Sequence, residues 1–566
     1  MNKNSKNKIT VIGLDGGSFL IIDYLMDRGR LPNFKKFLSA GNRGTLMSTI
    51  PPITPAAWAS FFTGRDPGGH GVYDFFQRDA GSYLLKPVCG ADVKGLPIWI
   101  QASKSGKRVC VHNVPMTYPV MPVNGIMISG MDAPQFDGPA IYPREFKQII
   151  DNNFPNYQIE FSINPLFLEK HSTDPVREFQ EKMLTHLESE LAVINFLKDL
   201  EDWDLFISVI RSTDALQHVF WKSAETVISY GEDKVDQAVL NRAKGIFDCY
   251  ERIDLEIGER WLNSNSQNLI FMSDHGFGVL EKEVCANRIL AEAGLLRFKK
   301  RTIRRGIRKN ISRQAYLWLP AKARAFMGNF ARERLGVGSL LSDSLIADID
   351  WERTQVYSLG QYGCLFTNVR GREPFGVISG ESQRKAVLAN AQQALTSYVN
   401  PDDDKPIITE FDFREDIFRG PLIFRMPDAV YVMRNYAYRS IYSTSSELDQ
   451  NEIICTPCPE YSHLGNSGVH RREGLIAMAG PDIRPGDMGT VSIMDLAPTI
   501  MTLLNLPLQQ EFNGQILAAA INFQPGYGLS PISSQDMSNM GGNGISGYGT
   551  EEEQIIRSRL EDLGYL

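Results

Sequence analysis

Residues 8–18 read KITVIGLDGGS, a mostly apolar run that ends at an aspartate and two glycines. A short apolar run of this kind is typical of a strand buried on both faces of a sheet. Four further runs share the pattern, at Arg108–His112, Asp204–Ile210, Asn268–Met272 and Gly474–Ala479. Helical patterns lie between them, for instance at Pro175–Leu200. This alternation predicts an α/β fold with a mainly parallel central sheet sandwiched by helices.

Length and shifts in composition divide the chain. Its 566 residues are too many for one ordinary core, so we expect two lobes or a core with large insertions. Residues 297–313 carry nine basic side chains and no acidic one, and residues 530–548 are rich in Gly, Ser and Asn. Strand-like runs return between them, in TQVYSL and DAVYVM. We predict a first part of the core at 1–290, a basic helical insertion or cap at 291–348, a second part of the core at 349–525, and a flexible linker with a C-terminal helix at 526–566.

The last segment is predicted to be a helix that docks on the core. It opens with Thr550 and Glu553, which have the spacing of a capping box. Ile556, Leu560 and Leu563 then fall on one face of the helix. An apolar face of this kind needs a surface to pack against, so we expect it to be covered.

Charge, hydropathy and cysteine usage narrow the classes of function. A formal net charge of -7 gives no general attraction to nucleic acid, so we expect no nucleic-acid partner. No apolar run approaches the roughly 20 residues of a membrane span, and Asp15 interrupts the first run too early for a signal peptide, so a cytoplasmic location is expected. Seven scattered cysteines argue against a disulfide framework, and Cys455 and Cys458 are interpreted as reduced thiols in a loop. The oligomeric state is left open.

Aspartate and histidine side chains stand at the ends of the predicted strands. In open α/β sheets, ligands bind outside the carboxyl ends of the strands, so we expect these side chains to converge on one crevice. Each short motif alone is typical of a turn or a surface pair, and only the joint pattern indicates a site. The side chains are Asp15, Asp214, His218, Asp274, His275 and His470.

The residue types in this set favour a metal site. Asp214 and His218 are four residues apart, so on a helix they share a face. Neutral imidazole combined with carboxylate suits zinc, whereas carboxylate-rich sets also suit manganese or magnesium. Two such cations roughly 4 Å apart can clamp the attacking and leaving oxygens of a phosphoryl transfer. The residue types therefore favour the binding of divalent metal.

Five motifs carry a family resemblance. VIGLDGG, TPAAWASFFTG, STDALQH, SDHGFG and GVHRREG, in this order, resemble the alkaline phosphatase superfamily. Within it they are most similar to the type I phosphodiesterase and nucleotide pyrophosphatase group, especially its predicted phosphohydrolase and phosphomutase members. The resemblance covers residues 8 to about 525, and the segments DLAPTIMTLLNLP and LEDLGYL also resemble this group.

The resemblance implies a role for each residue. Thr54 is implied as the nucleophile, which forms a covalent phospho-threonine at the start of a helix; taken alone, Thr54 would be interpreted as an ordinary helix N-cap. The two divalent ions, with zinc favoured and manganese or magnesium as alternatives, are implied to be held in two groups. One group is Asp15, Thr54, Asp274 and His275, and the other is Asp214, His218 and His470.

The expected function is a metal-dependent phosphate-ester hydrolase, either a phosphodiesterase or a phosphomonoesterase, with a small anionic substrate. The alternatives are a phosphotransferase or phosphomutase that uses the same site, and a non-catalytic binding protein with this fold. A sulfatase is disfavoured because the sequence at residues 54–58, TPAAW, lacks the Cys or Ser of a C/S-x-P-x-R motif.

Two features depart from the pattern of the relatives or leave it open. Phe75 stands where nucleotide pyrophosphatases have an asparagine that contacts phosphate, so nucleotides are not expected to be preferred substrates. His463 is an alternative to His470 as the last ligand, and His470 is favoured by its motif. His70 is interpreted as a structural loop residue.

Several basic side chains have no role in this scheme. Arg211, Arg471 and Arg472 are interpreted as solvent-exposed charges, with contact to the substrate as the alternative. The segment 297–313 is expected to border the substrate entrance or to contact an anionic membrane surface through a basic helix. A solvated insertion is the third interpretation of this segment.

Overall fold

The computed structural model describes residues 8–78, 81–160, 168, 172–258, 267–299, 349–441, 453–456, 464–522 and 547–563. Most of the basic segment 297–313, nearly all of the Gly-rich linker, Cys458 and His463 lie outside the described residues. Among the helices that the structure describes, none is both long and apolar enough to cross a membrane.

A nine-stranded sheet forms the centre of the protein. Its strands are β1 Ile9–Leu14, β2 Asn42–Met47, β3 Val109–Val114, β4 Gly125–Ser129, β5 Ile141–Tyr142, β6 Leu205–Ile210, β7 Asn268–Met272, β8 Glu473–Ala479 and β9 Gly486–Ser492. They are ordered β9-β2-β8-β7-β1-β6-β3-β4-β5, and β7, β1, β6, β3 and β4 run parallel to their neighbours in this group. The predicted α/β fold with a mainly parallel sheet is confirmed.

Both faces of this sheet are buried, which is why its strands read as continuous apolar runs. Along β1, Ile9 and Val11 belong to one core cluster, whereas Ile12 and Leu14 belong to the other. Successive side chains of a strand point to opposite faces, so each strand supplies both cores. The strand predicted at Asn268–Met272 is confirmed with the same bounds.

Helices cover each face. One face packs against the helices Phe19–Asp27, Pro32–Ala40, Phe146–Asn153, Pro175–Leu200, Ser212–Tyr230 and Gln237–Glu256. The other packs against Thr54–Thr63, Ile98–Lys104 and Leu496–Leu503. The helix predicted at Pro175–Leu200 is confirmed with the same bounds, and the Asp174 side chain caps its first turn.

A second, smaller sheet is antiparallel. Its strands are Val356–Leu359, Cys364–Thr367, Ala429–Met433 and Ile408–Phe413, in that spatial order. They share a core cluster with the helices Ala286–Glu292 and Gly380–Thr396. The remaining described strands form small pairs or triples, at Phe76–Arg78, Leu85–Pro87, Gly276–Val279, Lys282–Val284, Val399–Asn400, Lys405–Pro406, Tyr438–Ser440, Ile454–Cys455 and Gly468–Arg471. Short helices lie at Pro67–His70 and Arg414–Ile417.

The C-terminal helix spans Thr550–Asp562 and docks on the core. Ile556 and Leu560 are buried, as their shared face predicts. The capping residues were predicted one position too late. Thr550 is the first helical residue rather than the cap, so it is the Glu552 carboxylate that accepts the Gly549 N–H at 2.7 Å.

Candidate active site

The three aspartates predicted at strand ends lie side by side. Asp15 directly follows β1, and Asp274 comes two residues after the end of β7. Asp214 lies in the first turn of the helix Ser212–Tyr230, which follows β6. Because β1 pairs in parallel with both β6 and β7, these ends meet at one edge of the sheet. All three carboxylates are at most 1% exposed.

Two further elements bring the histidines to the same edge. The strand Gly276–Val279, directly after His275, pairs antiparallel with Gly468–Arg471 and sets Phe277 opposite His470. The rings of His275 and His470 stack with centroids 3.5 Å apart. His218 reaches the site from the helix, one turn after Asp214.

One group consists of Asp214, His218 and His470. The Asp214 Oδ1 atom lies 3.5 Å from His218 Nε2 and 3.4 Å from His470 Nε2. The two Nε2 atoms are 3.0 Å apart. Three potential ligand atoms therefore surround one point.

The second group lies beside it. His275 Nε2 is 3.2 Å from Asp274 Oδ2, 3.7 Å from Asp15 Oδ1 and 3.4 Å from Thr54 Oγ1. Asp15, Asp214 and His275 also place ligand atoms close enough together to share a cation. All seven residues predicted from the sequence as ligands or nucleophile are thus brought together.

Backbone carbonyls fix the orientation of the three imidazoles. The Nδ1 atoms of His275, His218 and His470 lie 3.2, 3.2 and 3.0 Å from the carbonyl oxygens of Gly276, Gly468 and Pro52, respectively. A carbonyl can only accept, so Nδ1 carries the hydrogen in each ring and the Nε2 lone pair is left for the site. A backbone acceptor behind each ring is typical of histidines that bind a metal.

Several carboxylate oxygens in the site have no hydrogen-bond donor. Asp15 Oδ1, Asp214 Oδ1 and Asp274 Oδ2 are buried without one. Burying an ionised oxygen without a partner is costly, and a cation removes that cost. The orphaned oxygens and the inward Nε2 atoms together form a donor set that fits divalent cations.

The pKa values of the site residues are shifted because burial disfavours their charged forms. Burial raises the pKa of Asp15 to about 6, although Arg211 opposes the shift. Burial and the neighbouring Asp15 raise the pKa of Asp274 well above its usual range. Burial also lowers the pKa of His218 to about 4, which keeps this imidazole neutral as a ligand must be.

Thr54 is the first residue of the helix Thr54–Thr63. The N-cap is Ile53, whose side chain makes no capping bond, so the N-cap interpretation of Thr54 is wrong. Its hydroxyl is fully buried and faces His275 instead. One turn later, Trp58 Nε1 donates to Asp15 Oδ2 at 3.3 Å, which ties this helix to the end of β1.

Arg211 was predicted to be solvent-exposed, and that prediction is wrong. Its side chain is 2% exposed and lies between Asp15, Glu160 and Asp214, at 2.5, 3.3 and 3.9 Å. Arg211 directly follows β6, so the argument from strand ends that found the aspartates could also have found it. No sequence signal pointed to Glu160.

The other two arginines lie outside this cluster. Arg471 is half-buried and donates to the carbonyls of Val279 and Tyr436, so the solvent-exposed interpretation is wrong for it too. Arg472 is partly exposed.

Two remaining predictions concern residues near Thr54. Phe75 is buried in a cluster that includes Ile53 and Ala56, the residues on either side of Thr54 and Pro55. His70 is buried and bonded to Ser60 Oγ at 3.0 Å, as expected of a structural residue, but it ends the short helix Pro67–His70 and does not lie in a loop. Phe75 therefore adds apolar surface to the cluster beside Thr54.

Tyr362 was missed by the sequence analysis. It lies in the turn between the strands Val356–Leu359 and Cys364–Thr367, and its ring stacks on His470 at 5.5 Å. Gly363 allows this turn with φ +74°, where a Cβ would lie 2.0 Å from the Tyr431 carbonyl oxygen. The second sheet thus contributes a side chain that covers the site.

Both the sequence and the fold are similar to those of known proteins. The sequence profile of the type I phosphodiesterase / nucleotide pyrophosphatase family matches residues 9–346. No curated protein sequence matches the chain. The structure of phosphonoacetate hydrolase from Sinorhizobium meliloti, in complex with phosphonoformate, is similar with a TM-score of 0.51 and 12% identity, over 88% of this chain and 96% of that chain. This similarity supports the fold.

Two mammalian structures also match. Murine ectonucleotide pyrophosphatase / phosphodiesterase 5 gives a TM-score of 0.42 with 13% identity, over 88% of this chain and 95% of that chain. The human protein of the same name gives a TM-score of 0.44 with 13% identity, over 90% and 97%.

Proposed function

This chain belongs to the type I phosphodiesterase / nucleotide pyrophosphatase family of phosphoric ester hydrolases, and from that premise we propose that it hydrolyses small phosphate esters with Thr54 as nucleophile beside two divalent cations. The observation that carries the proposal is the convergence of three buried carboxylates and three inward-facing imidazoles on one another, with the Thr54 hydroxyl 3.4 Å from His275 Nε2. Cations bound there would satisfy the orphaned oxygens of these carboxylates.

The residues divide between two cation sites. Asp15, Thr54, Asp274 and His275 would hold one cation, and Asp214, His218 and His470 would hold the other. Mixed nitrogen and oxygen donors favour zinc, with manganese or magnesium as alternatives. When bound, such cations lower the pKa of a coordinated hydroxyl and neutralise charge on the phosphoryl oxygens.

Thr54 carries the covalent step. Its Oγ1 forms a bond to phosphorus while the bond from phosphorus to the leaving oxygen breaks, which leaves a phospho-threonine. Water then cleaves that ester and regenerates the hydroxyl. The N-terminus of the helix Thr54–Thr63 stabilises negative charge at its first turn, where the phosphoryl oxygens would lie.

Neighbouring groups orient the site. Trp58 and Arg211 both donate to Asp15 Oδ2, so the Oδ1 atom of the same carboxylate points toward His275. Burial of Thr54 and Asp274 keeps bulk water away from the reacting atoms, which strengthens electrostatic interactions there.

The identity of residue 75 is relevant to substrate preference. An aromatic ring offers no hydrogen bond to a phosphate oxygen, so a phosphate contact made by an amide at this position is absent here. We therefore propose that nucleotides are not the preferred substrates. Hydrolysis of a nucleotide diester far faster than of every other diester tested would contradict this.

Transfer to an alcohol is the second candidate reaction. Thr54 is fully buried, which favours an acceptor hydroxyl that is bound in the site over bulk water. The same phospho-threonine would serve both reactions. Product analysis in the presence of added alcohols separates them, because transfer gives a product esterified with the added alcohol, whereas hydrolysis gives free phosphate from a monoester or a phosphate monoester from a diester.

The test combines a substrate pair with a matched variant. Protein loaded with zinc or manganese is assayed on 4-nitrophenyl phosphate and bis(4-nitrophenyl) phosphate, and the ratio identifies monoester or diester preference. Thr54→Ala is expected to lose turnover by several orders of magnitude. Thr63→Ala, at the other end of the same helix, is the control and should retain it. Near-normal turnover in Thr54→Ala would refute the mechanism.

A further inference from the structure

A narrow apolar cleft lies beside Thr54, between its helix and the C-terminal helix. Residues that line it, among others, are Pro55, Phe75, Met116, Met131, Ile556 and Leu560. Pro55 directly follows the nucleophile, so the cleft begins one residue from the reacting hydroxyl. We call it the apolar cleft.

Polar groups at the cleft are already bonded within the protein. The Asp132 carboxylate accepts the N–H groups of Met116 and Tyr118 at 2.9 and 2.7 Å. The Tyr548 hydroxyl donates to the Asp132 carbonyl at 2.6 Å. These bonds turn the polar atoms away from incoming groups, so the walls of the cleft present carbon and sulfur.

The C-terminal helix is fixed by polar bonds that do not use the side chains of Ile556 or Leu560. Arg559 donates to the carbonyls of Met131 and Ala133 at 2.5 and 2.7 Å. The Tyr118 hydroxyl donates to Glu552 at 2.5 Å. Because these bonds do not involve Leu560, the cleft wall can be altered without removing the anchors of the helix.

We propose that the apolar cleft is a substrate subsite, which binds an apolar ester group, alkyl or aryl, of the phosphate ester that Thr54 attacks; this inference rests on the proposed function. Space between the side chains is limited to about one water molecule. Met116 and Met131 are unbranched and flexible, so the cleft widens as they change rotamer. Leu560 lines the cleft from the C-terminal helix, so a smaller side chain at this position enlarges the space.

The test uses diesters that share one leaving group. The kcat/KM is measured for 4-nitrophenyl methyl, butyl and octyl phosphate. In the wild type, the kcat/KM of the butyl ester is expected to exceed that of the methyl ester, by up to about fourfold for each methylene that the cleft buries. Leu560→Ala should raise the kcat/KM of the octyl ester relative to that of the methyl ester about tenfold, because it enlarges the cleft by most of a side chain.

Two further variants make the result interpretable. Ile556→Val trims the same wall by one methyl group and should shift the preference in the same direction by a smaller factor. Glu551→Ala changes an exposed residue of the same helix and should leave the three kcat/KM values unchanged. An equal fall in kcat/KM for all three esters, in both cleft variants, would overturn the subsite.

Binding without turnover separates this inference from the proposed function. Methylphosphonate and octylphosphonate are titrated into the metal-loaded wild type and Leu560→Ala proteins by calorimetry. If no ester is hydrolysed but octylphosphonate binds more tightly, and Leu560→Ala widens the difference, the hydrolase proposal fails and the subsite stands. Equal binding of the two phosphonates by a protein that hydrolyses esters would overturn the subsite alone.

Discussion

Arg211 is a single buried cation that holds two acidic side chains of the candidate site. Its guanidinium lies within 3.3 Å of Asp15 and Glu160 and 3.9 Å from Asp214. Removing one partner of a buried ion pair leaves the other charge buried and uncompensated. Divalent cations bound to Asp15 and Asp214 would take over part of that compensation.

The stability of an Arg211→Met variant should therefore depend on metal. Without metal, we expect the free energy of unfolding to fall by about 3–5 kcal/mol, because Asp15 and Glu160 lose their shared cation. With saturating zinc the loss should be smaller. Urea unfolding with chelator and with zinc measures both values. Arg177→Met, which removes an exposed ion pair with Glu181, is the control and should give no measurable change. An equal loss in both conditions would contradict the prediction.

Single residues of the site could be predicted where they follow the end of a predicted strand. Asp15, Asp214 and Asp274 follow buried strands, and a sheet edge brings such ends together whatever the intervening sequence. Glu160 and Tyr362 come from a loop and from a turn of the second sheet. Their positions depend on tertiary packing, which leaves no periodic pattern in the sequence.

Among the elements, β1 and the helix Thr54–Thr63 approach unusually closely. A Cβ on Gly13 would lie 2.4 Å from the Trp58 ring. Trp58 is fully buried, so the ring has no free direction in which to move. Because Trp58 also bonds Asp15, this close approach links the packing of the helix to the site.

A Gly13→Ala variant should report that link. We expect a loss of about 1–3 kcal/mol in the free energy of unfolding from overpacking. Displacing Trp58 should also weaken zinc binding, because Asp15 loses a donor that orients it. Gly138→Ala, where a Cβ meets nothing within 4 Å, is the control. Chemical denaturation and zinc titration measure the two effects, and a Gly13→Ala protein with unchanged values of both would show that the contact is easily relieved.

His112 on β3 is a buried imidazole, and we expect it to make the stability of the sheet depend on pH. It bonds Ser208 on the neighbouring β6 and the Tyr157 hydroxyl, both at 2.8 Å. Burial lowers its pKa to about 3. Below the unfolded pKa, roughly 6.5, the unfolded chain binds a proton that the folded protein does not. The stability that His112 contributes is therefore complete above that pH and is lost as pH falls toward 3.

The expected slope is about 1.4 kcal/mol per pH unit for this one group. Urea unfolding at pH 6.0, 5.0 and 4.0, in chelator to remove metal effects, should give a smaller slope for His112→Gln than for the wild type. His70 is also buried with its pKa lowered to about 3, so His70→Gln should reduce the slope similarly. Identical slopes in all three proteins would show that neither histidine is neutral when folded.

Elements were predicted best where periodicity is strong. The 26-residue helix Pro175–Leu200 was found with its bounds because its stripe of apolar residues is long and Asp174 caps it before a proline. The cap of the C-terminal helix was misplaced because Glu551, Glu552 and Glu553 are adjacent. The sequence alone does not show which of these three carboxylates accepts the free N–H of Gly549.

Across the whole molecule, the site is assembled from distant parts of the chain. Its proposed ligands run from Asp15 to His470, and the second sheet adds Tyr362 over His470. Apolar runs in TQVYSL and DAVYVM indicated strands there. The strand in DAVYVM pairs with Cys364–Thr367, more than 60 residues earlier in the chain, and this pairing could not be predicted from those runs, because a short strand fits many partners equally well.

Metal removal should consequently lower the stability of the entire protein. The unfolded chain cannot hold the scattered ligands together, so cations bind the folded state and stabilise it by about 2.7 kcal/mol at a free concentration 100 times the Kd. Chelation also leaves Asp15, Asp214 and Asp274 with buried oxygens that lack donors. We expect elemental analysis to find about two divalent ions per chain, and chelator to lower the thermal midpoint reversibly.

A variant of one ligand shows whether the shift arises at this site. His470 belongs to one proposed cation site and stacks on His275 of the other. In His470→Ala, the difference in thermal midpoint between zinc and chelator should shrink, and the metal content should fall toward one ion per chain. His186→Ala, at a buried histidine on the helix Pro175–Leu200, outside both ligand groups, should keep the full difference. If chelator lowers the midpoint of His470→Ala as much as that of the wild type, the stabilising metal binds elsewhere, because a site that has lost one of its three protein ligands cannot bind a cation with unchanged affinity.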